Sequence, residues 1–60
     1  MLNAVETKVS ELLRNGMSDK EMCLELKLRY KEIRLALKNL YKEYDVKTRY
    51  QLIVKLFKST

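Results

Sequence analysis

Residues 16–44 read GMSDKEMCLELKLRYKEIRLALKNLYKEY, and this stretch decides the fold. Gly16 ends one helical pattern, and Ser18 with Glu21 three positions later forms a capping box that starts another. Met17, just before the cap, pairs with Met22 as a hydrophobic staple. The helix opened here is short, about 18–26, and offers Met22, Cys23 and Leu26 to a core. A tight turn over residues 27–29 follows. From Tyr30, the apolar positions Ile33, Leu37, Leu40 and Tyr44 recur at spacings of four, three and four, which places them within about 40° of Ile33 on a helical wheel. Lys31, Arg34, Lys38 and Lys42 gather on the far side, centred about 140° from Ile33. The pattern predicts a helix over 30–44 with core below and cations above.

Outward from this pair, the same signals recur. Asn3 and Glu6 make another capping box, and Val5, Val9, Leu12 and Leu13 share one face of a helix over 3–15. Beyond Tyr44 the pattern breaks at residues 45–47. Thr48 then caps a last helix over 48–58 with Leu52, Ile53 and Leu56 turned to the core. A second apolar stripe on that helix, Tyr50, Val54 and Phe57, exceeds what one small core absorbs. It reads as a homodimer surface, and it also fits an edge of the monomer's own core.

The chain has 60 residues, which makes one domain spanning 1–60 and only marginal stability. With a single cysteine, Cys23, and no histidine, an internal disulfide and a zinc staple are both excluded. Cys23 itself reads as a small buried hydrophobe. No run approaches the roughly 20 apolar residues of a membrane span, and Met1 to Ser10 lacks a signal core, so the expectation is a cytoplasmic protein without membrane contact. The net charge of +5 is unevenly spread. Residues 1–26 carry three cations against five anions, net −2, whereas residues 27–49 carry eight against three, net +5. One segment faces an anion.

Two short helices with a tight turn between them, the second cationic on its outer face, form the arrangement that lays a helix in the major groove. Lys and Arg there neutralise phosphates and pair with guanine edges. Leu35, between Arg34 and Lys38 on the exposed wheel, suits a thymine methyl. The same cationic stripe also fits a plain solvated face. Catalysis is not expected, because histidine, a Gly-rich phosphate loop and metal-ligand spacing are all missing. No cofactor or metal is expected either.

From Leu2 to Leu56 the residues carry a resemblance to the LuxR/GerE-type helix-turn-helix domain of bacterial transcription regulators. Leu2, Glu6, Val9, Leu12 and Leu13 fit that family's first helix, and Gly16 to Met22 is similar to its "G-L-S-N-K-E-I" segment. Leu26-Lys27-Leu28 resembles "L-x-I". Ile33-Arg34, Leu37, Asn39-Leu40-Tyr41, Val46, Arg49 and Gln51 fall where the family has "V-K", "L", "N-I-Y", "V", "R" and "Q", without a gap. The resemblance implies an all-α, four-helix helix-turn-helix domain, with a scaffold and recognition pair in the second and third helices and a dimer through the fourth. Carried over, Arg34, Leu35 and Lys38 look like base-facing residues, and Lys20, Asn39, Lys42 and Arg49 look like phosphate contacts. Lys31 joins the base-facing set from the helical wheel alone.

The chain departs from the family's pattern at several positions. Arg29 and Glu32 replace small hydroxyl residues at the start of the recognition helix, which weakens its cap and puts a carboxylate near the groove. Glu32 either accepts from a cytosine amine or repels the backbone. Ala36 stands where the family often has His, and Asp45 where it often has Gly, which points to a left-handed backbone at Asp45. The expected function is a sequence-specific regulator that binds double-stranded DNA as a homodimer. The rival is a stand-alone interaction module that pairs with a larger regulator or RNA polymerase and has no operator of its own.

Overall fold

Asn3, Ser18 and Thr48 each place a side-chain oxygen where the first amides of a helix need an acceptor. At the first helix, the Glu6 amide donates to Asn3 Oδ1 at 2.8 Å and the Asn3 amide to Glu6 Oε1 at 3.2 Å. At the second, the Ser18 amide donates to Glu21 Oε1 at 2.8 Å and the Glu21 amide to Ser18 Oγ at 3.2 Å. At the fourth, the Gln51 amide donates to Thr48 Oγ1 at 3.1 Å, while Gln51 Oε1 accepts from the Lys47 amide. The computed structural model describes residues 2–58 and consists of α1 (Ala4–Arg14), α2 (Asp19–Leu26), α3 (Tyr30–Glu43) and α4 (Arg49–Lys58). The described residues form an all-α, four-helix arrangement that contains no strand. Of the expected span 1–60, Met1, Ser59 and Thr60 lie outside the described residues.

The start of α3 differs from these three. Arg29 has no acceptor to offer, so only half of a capping box forms, with the Arg29 amide donating to Glu32 Oε1 at 3.0 Å. The Glu32 amide falls back on the Arg29 carbonyl at 2.9 Å. One oxygen of the Glu32 carboxylate is therefore engaged in helix capping.

The first three helices each end on a left-handed residue. Gly16 has φ +84° and closes α1 with a Schellman pair, its amide on the Leu13 carbonyl and the Met17 amide on that of Leu12. Asp45 closes α3 by the same pair of bonds at φ +55°, as its place in the family pattern suggested. Lys27, also at φ +55°, closes α2 without any glycine.

Val9, Leu13, Met22, Ile33, Ala36, Leu37, Leu40, Leu52 and Leu56 make the core, with Cys23, Leu26, Tyr41, Tyr44 and Ile53 half-buried around it. The third helix supplies the floor on which α1, α2 and α4 all pack. Cys23 is thus a half-buried hydrophobe. Apolar periodicity misjudges α1. Its buried face holds Glu6, Val9, Ser10 and Leu13 and is turned about 60° from the stripe of Val5, Val9, Leu12 and Leu13, leaving Val5 exposed. The turn is possible because both inward polar groups find partners. Ser10 Oγ donates to the Thr7 carbonyl, and Glu6 is met by a donor from α3. Among the described residues no helix is long and apolar enough to cross a membrane.

Candidate nucleic-acid interface

With Ile33, Leu37 and Leu40 buried against the other helices, α3 must turn its opposite face outward. Lys31, Arg34, Lys38 and Lys42 are all exposed there, and Leu35 is 58% exposed among them. Arg34 lies over the ring of Tyr30, one turn earlier, with its guanidinium carbon 5.8 Å from the ring centroid. Such a contact limits the wandering of a long side chain and leaves the charge outward. The sequence reading missed this partner, although the four-residue spacing signals it.

The cations do not stand on a flat surface. Lys31, Arg34, Leu35 and Lys38 line one side of an open concavity of about 540 Å³, and Arg49, from the start of α4, lines the other with Asp19. Half-buried Tyr41 and buried Leu37 lie between. Four cationic side chains therefore surround a shallow hollow that contains one carboxylate. Lys20 borders the adjoining depression with Ser18 and the same Arg49, so Arg49 links the two. Lys42 is exposed one turn beyond Lys38.

Arg49 is tethered. Its Nη1 donates to Asp19 Oδ1 at 2.6 Å and its Nη2 to the Met17 carbonyl at 3.2 Å. Asn39 is engaged as well, on the opposite flank of α3. It is half-buried, and its Nδ2 donates to Glu6 Oε2 at 2.9 Å beside Glu32, Leu35 and Ala36. Of the four residues that resemble phosphate contacts, Lys20 and Lys42 are exposed, while Arg49 and Asn39 hydrogen-bond to carboxylates from the first two helices. No local signal in the sequence pairs residues 30 or 33 positions apart.

On α4, Tyr50 is 76% exposed, Phe57 is exposed and Val54 is half-buried. Tyr50 and Val54 line a groove of about 300 Å³ with Val46 and Lys55. Phe57 has the Arg14 guanidinium carbon 5.7 Å from its ring centroid, which ties it to the end of α1. Tyr30 and Tyr50 are exposed, whereas Tyr41 and Tyr44 are half-buried against the core. Among the described residues no three side chains are grouped to hold a metal ion. The chain matches no protein-family model, no curated protein and no solved structure.

Proposed function

We propose that the protein is a bacterial-type transcription regulator, working in the cytoplasm, that binds double-stranded DNA sequence-specifically with α3 in the major groove. One observation carries this reading. Lys31, Arg34 and Lys38 are exposed on the face of α3 opposite its buried stripe, and Arg49 meets them across a shared hollow. A helix of this kind fits the roughly 12 Å width of the major groove, where Lys and Arg reach guanine O6 and N7 and the flanking phosphates. Leu35, exposed between Arg34 and Lys38, is available to a thymine methyl. In this reading Lys20, Lys42 and Arg49 touch the backbone, and Tyr50, Val54 and Phe57 join two copies so that their α3 helices meet half-sites about one helical turn apart.

Selection from random duplexes across a salt series tests it. The expected outcome is an enriched, roughly symmetric motif whose binding weakens steeply with salt. Retention without enrichment, lost at modest salt, would replace this reading with that of an interaction module for a larger regulator or polymerase. On the selected duplex, Arg34→Ala or Lys38→Ala should cost roughly 1–3 kcal/mol and relax base preference, whereas Lys42→Ala should weaken all sequences alike.

A further inference from the structure

Asp19 puts a carboxylate into a hollow whose other charged residues are all cations, which is a poor choice for a surface meant to receive phosphate. Its geometry resolves the conflict. The carboxylate is only 23% exposed and accepts from Arg49 Nη1 at 2.6 Å, while Nη2 of the same guanidinium reaches the Met17 carbonyl. These two bonds hold the planar fork at both ends and leave its other N–H groups unassigned on a side chain that is 36% exposed. We propose that Asp19 is a positioning residue of the DNA interface. It fixes Arg49, at the start of α4, so that the remaining guanidinium donors meet a backbone phosphate beside the groove entered by α3.

The proposal rests on the DNA-binding reading above and gives the acidic group in that surface a role. A free arginine loses much rotamer freedom when it grips a phosphate; one already held by a carboxylate and a carbonyl loses little. The anchors come from the turn before α2 and the first residue of that helix. The tether therefore also holds the Arg49 guanidinium against the start of α2, whose second residue, Lys20, borders the same depression. Repulsion between Asp19 and the phosphate is blunted by the guanidinium between them and by salt, which screens exposed charges over about 10 Å at 0.1 M.

The test uses the full chain and the selected duplex. Affinity is measured across a salt series for wild type, Asp19→Ala, Asp19→Asn, Arg49→Met and the Asp19→Ala/Arg49→Met double variant. Thermal unfolding serves as the check on folding. Asp19→Ala should weaken binding about tenfold and lower the slope of log affinity against log salt by about one, as loss of one phosphate contact does. Asp19→Asn keeps an acceptor and should keep the slope. The double variant should bind no worse than Arg49→Met alone. Arg49→Lys leaves Asp19 in place and cannot span both anchors and a phosphate, so it should lose as much as Arg49→Met, and it gives the answer if Asp19→Ala fails to fold. Unchanged or tighter binding by Asp19→Ala, additive penalties in the double variant, or full binding by Arg49→Lys would overturn the role of Asp19 while leaving the DNA reading intact. A wild-type chain retained by no duplex would bring down the DNA reading and this proposal together.

Discussion

The two flanks of α3 are built from the same helix and do opposite things. On the flank towards α4, Lys31, Arg34 and Lys38 project into an open hollow, and the only carboxylate there holds Arg49. On the flank towards α1, the polar groups are engaged within the chain, Asn39 with Glu6 across helices and Glu32 with the amide of Arg29 at the helix start. The difference lies in where the partners come from. An acid from α1 meets the second flank at hydrogen-bond distance, whereas the hollow on the first flank is completed by Arg49 at the start of α4 and Asp19, the first residue of α2. A helix can thus be fixed in place along one edge and left open along the other.

Leu40 lies fully buried beneath both flanks, so Leu40→Ala is the bluntest way to break the distinction. It should cost about 2–5 kcal/mol and leave so small a domain largely unfolded at 37 °C, measured by thermal unfolding. Next comes Glu6→Ala, which strips the acceptor from the Asn39 side chain and from the Asn3 amide. It should destabilise by about 1–3 kcal/mol, while Lys38→Ala on the other flank stays within about 0.5 kcal/mol. Equal costs would mean that the two flanks are not different in kind. Third, Arg29→Ser supplies the missing half of the capping box and should stabilise by about 1 kcal/mol, read from the denaturant midpoint.

The smallest effect contrasts the half box of α3 with the complete one of α2. The backbone amide of Ser18, and then its hydroxyl, hold the Glu21 carboxyl below its ordinary value of 4.5. Because the folded value lies below the unfolded one, this contribution is complete above 4.5 and fades as pH falls through the folded value. Glu21→Gln should flatten a small part of the stability loss seen as pH falls below 4.5.

Much of the fold was legible because caps and stripes are local. Asn3 with Glu6, Ser18 with Glu21, and Thr48 each announce a helix start within four residues, and Ile33, Leu37 and Leu40 set the face of α3. The exposed cations follow from that face. Its wiring was not legible. Glu6 counts as a surface residue in any hydropathy pattern, yet it is buried because Asn39 arrives from another helix. Arg49 reads as a free cation until Asp19 is folded against it. The left-handed turn at Lys27 carried no mark either, since lysine has no preference for that conformation.

That turn, together with Asp45, points to where the molecule has room to adapt. Non-glycine residues in left-handed geometry carry a strain of about 1–2 kcal/mol, and here two sit at exposed helix exits. Gly16 meets no heavy atom within 4 Å of where a Cβ would stand, so its role is conformational, and glycine would relieve the other two exits in the same way at some cost in chain entropy. A population evolved for heat tolerance would be expected to change positions 27 and 45 early, and the zero-exposure core late.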